Sequence, residues 1–249
     1  MSLKNKVAIV TGASSGIGAA IAEKFSHEGA QVVMVGRNET KLHAVAARCN
    51  NPLVIKAELD KEEDIVRIID ETIKKFGKID ILVNNAGTNV VGSVLEEDLM
   101  KSYDPVMNIN FKAVVHLTKL AAPYLIKTKG NIVNISSIGG ERTTVVPGLI
   151  MYSCSKGALN HFSKDAALEL APHKVRVNVI SPGPVRTDIM ENTGSPMSWD
   201  DFKKKTALGR VSESEEIADL TLYLVSEKAK GITGSIFVSD NGMLLKGYR

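Results

Sequence analysis

Val7-Ala8-Ile9-Val10-Thr11-Gly12-Ala13-Ser14-Ser15-Gly16-Ile17-Gly18 decides the fold of this 249-residue chain. The apolar, β-branched run Val7 to Val10 has the length and flanks of a fully buried strand. The stretch Ala19 to His27 that follows the glycines reads as a helix. Strand, glycine-rich turn and helix are the context that a dinucleotide's pyrophosphate requires. Gly12 permits the tight turn, Gly16 lets backbone approach the phosphates, and Gly18 lets helix and strand pack closely. Ser14, Ser15 and Ile17 complete the turn, and the helix N-terminus offers free N–H groups to the anion.

Working outward, Gln31 to Val35 is the second strand, ending in Gly36-Arg37-Asn38. An acidic residue here would bind a ribose 2′-hydroxyl, and none occurs before Glu39. The planar fork of Arg37 suits a 2′-phosphate instead, which favours NADP(H) over NAD(H). Lys41 to Cys49 is a helix and Leu53 to Ala57 a third strand. Asp60 and Glu63 form a capping box for the helix Lys61 to Phe76, and Gly77 ends that helix. Ile79 to Val83 is the fourth strand, running into Asn84-Asn85-Ala86-Gly87. A long helix from about Pro105 to Lys127 precedes the fifth strand, Asn131 to Ile135. After the helix Ile150 to Leu170, the sixth strand Val175 to Ile180 leads to Ser181-Pro182-Gly183-Pro184. Ser212 and Glu215 cap a further helix, and Ser235 to Ser239 is the last strand. Strands and helices alternating at this rhythm predict an α/β fold: a doubly wound parallel sheet of about seven strands with helices on both faces. No repeat or linker interrupts residues 1–249, which read as a single domain. Val185 to Leu208 has little periodicity and is long for a connection, so it is expected to form a substrate lid over 185–208.

Tyr152-Ser153-Cys154-Ser155-Lys156 opens the helix Ile150 to Leu170. Positions four apart share a helix face, so the phenol and the ammonium can point into one space. A phenol titrates near pH ~10, and a cation about 4 Å away supplies roughly the 4 kcal/mol needed to bring it to neutrality. Such a pair can move a proton at pH 7.

The formal charge of +3, from 31 basic and 28 acidic residues, is scattered, which argues against a nucleic-acid surface. Cys49 and Cys154 lack metal-ligand spacing and form no disulfide framework, so reducing surroundings and no metal are expected. The N-terminus reads as the start of a strand, and no apolar run reaches the ~18 residues of a membrane span. Together these predict a cytoplasmic protein. His116 and His161 fall on helix faces and read as structural.

The chain resembles the short-chain dehydrogenase/reductase family along nearly its whole length. The resemblance rests on Thr11-Gly12-x-x-x-Gly16-x-Gly18, Asn84-Asn85-Ala86-Gly87, Asn110, Ser137, Tyr152-x-x-x-Lys156, and Pro182-Gly183 with Thr187. Each motif is weak alone, and their order on the right elements is specific. The resemblance implies a Rossmann-type sheet and an NADP-dependent oxidoreductase. It implies that Tyr152 is the general acid or base, and that Lys156 lowers the phenol's pKa and holds the nicotinamide ribose. It implies that Ser137 binds the substrate oxygen and Asn110 holds a water connecting Lys156 to solvent. Thr187 and the Val185 backbone would hold the carboxamide, while Asn85, Ala86 and Gly87 would face the adenosine side. Glu58-Leu59 stands where the family usually has Asp-Val beside the adenine, and Glu58 would accept from the adenine amino group. Ser137 and Tyr152 are 15 positions apart, a longer spacing than is usual, with the additional residues in Glu141 to Val146.

Val145, Val146, Pro184, Ile189, Met190 and Trp199, with Val90 and Met197, are the candidate substrate-pocket residues. Their apolar character points to a small-molecule hydrophobic ketone of steroid or isoprenoid type. The alternative is a 3-oxoacyl thioester reductase of fatty-acid synthesis, which needs a basic pocket mouth; Arg142 and Lys203-Lys204-Lys205 are the hints. A competitor of another class is a non-catalytic dinucleotide-binding regulator. The family resemblance also implies a homotetramer or dimer, through helices near Asp104–Lys127 and Ile150–Leu170 whose small residues Ala113, Ala121, Ala122, Ala158, Ala166 and Ala167 allow close packing.

Overall fold

The computed structural model describes residues 2–95, 97–143, 147–188 and 198–246. Seven strands, β1 (Val7–Thr11), β2 (Gln31–Gly36), β3 (Leu53–Lys56), β4 (Ile81–Asn84), β5 (Asn131–Ile135), β6 (Arg176–Pro182) and β7 (Ile236–Ser239), form one sheet. All neighbours are parallel, in the order β3-β2-β1-β4-β5-β6-β7. The chain winds outward from β1 in one direction and from β4 in the other. The switch in direction lies between β1 and β4, where open α/β sheets leave a crevice at their carboxyl ends.

Successive strand residues point to opposite faces, and both faces are covered. Ala8, Val10, Val32, Met34, Val83 and Val133 pack beneath helices α1 (Gly16–His27) and α8 (Ser214–Val225), against Ile21, Phe25, Ile217 and Leu224. Val7, Ile9, Val33, Val35, Leu82 and Ile132 pack against α3 (Glu62–Phe76) and α5 (Ala113–Thr128), through Ile65, Ile68, Leu117 and Leu125. Both faces being apolar is why these strands read as continuous rather than alternating runs. Phe25 and Ile21 are fully buried, and each contributes roughly 2 kcal/mol by removal from water.

The element order matches the expectation, and the differences lie at the ends of elements: the second helix spans Glu39–Ala46 rather than Lys41 to Cys49, and β4 spans Ile81–Asn84 rather than Ile79 to Val83. Helix α3 starts at Glu62 with Lys61 as its cap, so Asp60 and Glu63 form no box. Instead, Asp64 accepts the Glu58 N–H at 2.7 Å and an Arg67 guanidinium N–H at 2.6 Å. Helix α8 is boxed by Glu213 and Glu216, one residue beyond Ser212 and Glu215; the Ser212 N–H is committed to the Pro184 carbonyl. The long helix begins before Pro105: α4 (Leu99–Met107) runs through a π turn at Asn108–Lys112 into α5. α6 spans Ile150–Leu170 as expected. Within 185–208 the described part includes α7 (Trp199–Lys205), capped by Ser198 and Asp201. Val145, Val146, Ile189, Met190 and Met197 lie outside the described residues. Ala113, Ala121, Ala166 and Ala167 are buried within their own chain, so they offer no surface to a partner. Among the described residues no helix is long and apolar enough to cross a membrane.

Candidate active site

A cavity of about 760 Å³ opens at the carboxyl ends of the strands. Its floor is the turn after β1. Gly12 holds a positive φ of 68°, and a Cβ there would lie 2.9 Å from the Ala86 Cα. A Cβ on Gly18 would collide with the Gly12 carbonyl oxygen, so α1 packs onto the turn only because Gly18 has none. Thr11 locks this arrangement. Its buried hydroxyl accepts the N–H groups of Asn85 at 3.0 Å and Ala86 at 3.1 Å and donates to the Val83 carbonyl. Asn85 returns an amide hydrogen to the Thr11 carbonyl at 2.9 Å, so its side chain braces the turn. Gly12, Ser14, Ser15, Gly16 and Ile17 line the cavity, while Gly18 lies buried beneath them. Backbone at the wall, with no side chain at Gly12 or Gly16, fits a pyrophosphate at a helix start.

At the far end, Arg37 is exposed, lines the cavity and has no carboxylate partner among the described residues. Asn38 and Lys41 stand beside it. Glu58 is turned away. Period-two alternation beyond β3 sends Ala57 and Leu59 to the cavity wall, while Glu58 is exposed and pairs with Lys61 at 2.8 Å. The carboxylate expected to meet an adenine amino group is therefore outside the wall, and Leu59 is in it.

At the middle of the cavity, Ser137, Tyr152 and Lys156 come together with Gly87, Pro182, Gly183, Val185 and Thr187. Lys156 is only 4% exposed. Its ammonium donates to the Ile135 carbonyl at 2.9 Å and lies 5.8 Å from the centroid of the Tyr152 ring. Burial lowers its pKa from 10.5 to about 8. Burial also raises the Tyr152 phenol, with a hydrogen bond to Ser137 opposing it. The lowering by Lys156 expected from the sequence does not show: burial outweighs the Ser137 hydrogen bond, and the phenol stands above its ordinary value. The Ser137 oxygen accepts the Gly139 N–H at 3.1 Å, which fixes the hydroxyl with its hydrogen directed to the phenol side of the cavity.

Asn110 sits in the π turn and is fully buried. Its side chain clamps Thr88, accepting that N–H and donating to that carbonyl, both at 2.8 Å. It also donates to Ser155 Oγ at 3.0 Å, which in turn donates to the Tyr152 carbonyl at 2.7 Å. A methyl built on Gly87 would lie 3.5 Å from Asn110 Oδ1 and 3.6 Å from Lys156 Nζ, so both groups border one small space. Asn84 bonds through its side chain to another strand. It donates to Asn134 Oδ1 at 2.8 Å; Asn134 donates to Ser163 Oγ at 2.8 Å, and Ser163 to the Leu159 carbonyl. This chain of side chains ties β4 and β5 to the helix that carries Tyr152 and Lys156.

The remaining wall includes Pro184 and Trp199, and also Val91, Ile138, Leu149, Phe202, Met243 and Leu244. Val90 is not in it; Asn89 and Val91 are. Met243 and Leu244 come from beyond β7, where only the three-dimensional return of the chain could reveal them. Arg142 is in the wall and donates to the Leu244 carbonyl at 3.1 Å. Lys203 and Lys204 pair with Asp200 and Asp201 on their own helix, at 2.7 and 4.0 Å, which leaves little net charge there. His161 is exposed beside Asp165, His116 lies 3.9 Å from Glu62, and neither reaches the cavity. Among the described residues no cluster of three or more His, Cys, Asp or Glu could hold a metal.

The family described as Enoyl-(Acyl carrier protein) reductase matches residues 12–244. The meso-2,3-butanediol dehydrogenase of Serratia marcescens is 35% identical, over 97% of this chain and 96% of its own length. A 3-oxoacyl-[acyl-carrier-protein] reductase of Thermotoga maritima is 32% identical, over 98% of this chain and 100% of its own. A short chain dehydrogenase of Burkholderia cenocepacia, solved in complex with NADP, superposes with a TM-score of 0.91 at 30% identity, covering 98% of this chain and 100% of that one. Likeness that runs the full length in both sequence and backbone goes beyond a shared motif: the chain belongs to the short-chain dehydrogenase/reductase family, oxidoreductases that act on alcohol and carbonyl groups with a nicotinamide dinucleotide.

Proposed function

We propose that this protein is an NADP(H)-dependent carbonyl reductase or secondary-alcohol dehydrogenase with Tyr152 as its acid and base. The observation that carries the reading is one cavity with Ser137, Tyr152 and Lys156 at its middle and Arg37 at one end. A bound nicotinamide supplies or accepts the hydride. Tyr152 delivers the proton to the substrate oxygen, and a phenol raised by burial holds that proton at neutral pH. Ser137 donates to the same oxygen and steadies the charge that develops there. Lys156, tied to the Ile135 carbonyl, supplies the ribose with a donor and the phenol with a nearby cation. Asn110 sets the Thr88 segment and borders the space beside Lys156, where a water would link the ammonium to solvent.

At the cofactor's other end, Arg37 takes the 2′-phosphate and Leu59 covers the adenine. The substrate end is walled by Val91, Leu149, Trp199, Phe202, Met243 and Leu244, which favours a bulky apolar ketone. A 3-oxoacyl thioester is the second reading. Arg142 in the wall and the Thermotoga relative favour it, while the neutralised Lys203–Lys204 pairs count against a basic docking mouth.

The test is oxidation of NADPH and NADH against steroid, isoprenoid and aromatic ketones and an acetoacetyl thioester. Strong NADPH-dependent turnover of a bulky ketone is the expected result. Preference for the thioester would move the protein to lipid synthesis, and preference for NADH would remove the role given to Arg37.

A further inference from the structure

Lys41 and Asp188 are 147 positions apart in sequence, yet Nζ and Oδ2 meet at 2.5 Å. The pair spans the cavity. Lys41 belongs to helix α2 (Glu39–Ala46), and the Asn38 side chain fixes its position by accepting the Lys41 N–H at 2.9 Å. Asp188 follows Thr187, whose methyl would lie 2.8 Å from a Cβ on Gly16. The segment after β6 therefore rests on the glycine turn and reaches across to the second helix, over the cavity that both residues line. Among the described residues, the charges that line this end are Arg37 and Lys41 on one side and Asp188 on the other. Glu39 is diverted to Lys56, 3.6 Å away. Both members of the Lys41–Asp188 pair keep more than a third of their side-chain surface in water, where a carboxylate holds a lysine weakly.

We propose that Lys41 is a second phosphate anchor beside Arg37, and that Asp188 competes with the phosphate for it. The inference rests on the NADP(H) reading above. A 2′-phosphate carries nearly two negative charges at pH 7 and three acceptor oxygens, against one charge on Asp188. It therefore takes Lys41 from Asp188 when NADP(H) binds. NAD(H) has a hydroxyl at that position and leaves the pair closed. Asp188 then sets the margin between the two dinucleotides without touching either.

Binding of NADPH and NADH, followed by protein fluorescence, separates the possibilities without any turnover. Lys41→Met is expected to weaken NADPH about tenfold and to leave NADH within about twofold, as expected for one charge-assisted phosphate contact. Asp188→Asn is expected to tighten NADPH about threefold with NADH unchanged, the size of one exposed ion pair. Both side chains are partly exposed, and circular dichroism checks that each variant is folded. If Asp188→Asn weakens NADPH, or shifts both dinucleotides equally, the pair is only a brace for the chain after β6 and the inference is wrong. Arg37→Met is the control for the underlying reading. If wild type and Arg37→Met both bind NADPH no tighter than NADH, the NADP(H) reading and this inference fall together. If Arg37→Met loses NADPH while Lys41→Met does not, only this inference falls.

Discussion

Lys156 Nζ donates to the Ile135 carbonyl at 2.9 Å while lying 5.8 Å from the Tyr152 ring centroid. The lysine reaches the phenol's neighbourhood through the protein interior, and its charge is anchored by the end of β5. Two buried titratable groups therefore shift in opposite directions, each toward its neutral form.

That burial has a stability consequence. The folded pKa of Lys156, about 8, lies below its ordinary 10.5. Below pH 8 the protein must bury a charge, and the cost is then complete, at roughly 3 kcal/mol. It fades as pH rises from 8 to 10.5. Lys156→Met removes the charge and one hydrogen bond worth about 1 kcal/mol. The variant is expected to be inactive yet more heat-stable than wild type at pH 7, with the gain shrinking toward pH 10. Thermal melts at the two pH values check this, and a variant less stable at pH 7 contradicts it.

The same shift sets a pH profile. The phenol holds its proton well past neutrality, so the group that titrates first near the reaction is Lys156. For ketone reduction kcat/KM is expected to be level between pH 6 and about 8 and to fall above that. A profile flat to pH 10 would show that the charge on Lys156 is not needed.

Asn110, buried within the π turn, joins three backbone or hydroxyl partners. Asn110→Leu leaves the Thr88 N–H and carbonyl without their partner, at about 1–3 kcal/mol for each group left unsatisfied. A loss of about 3 kcal/mol in urea melts is expected, with kcat falling further than NADPH affinity. Unchanged stability would mean that water replaces the clamp.

Gly18 and Gly77 should fail differently. At Gly18 an alanine Cβ meets the Gly12 carbonyl oxygen, which is backbone and cannot yield. Gly18→Ala is expected to lose dinucleotide binding and several kcal/mol of stability, as overpacking at a backbone contact does. Gly77 has a φ of 73° and open space around it, so Gly77→Ala is expected to cost about 1 kcal/mol and no activity. Calorimetry of the two variants compares them directly.

Much of this was legible in the chain. The run Val7–Gly18 contains its own strand, turn and helix start, and α6 begins and ends where its periodicity does. Helix caps are less legible in the sequence. Ser212 and Glu213 both offer an acceptor, and the tie is broken by the Ser212–Pro184 backbone bond, a long-range contact. Glu58 looked suited to an adenine by position, but the alternation past β3 turns it outward. The Thr11 hydroxyl, the Asn84–Asn134–Ser163 chain and the wall contributed by Met243 and Leu244 all depend on strands adjacent in space but distant in sequence. Local pattern carries no trace of them.

The proton-transfer role of Tyr152 is tested by Tyr152→Phe, measured for NADPH binding and for turnover of the best ketone found for wild type. The phenyl ring keeps the packing and removes only the hydroxyl. NADPH affinity within a few-fold of wild type and no measurable turnover are expected. Turnover that survives the substitution would mean that another group moves the proton and that the role given to Tyr152 is wrong.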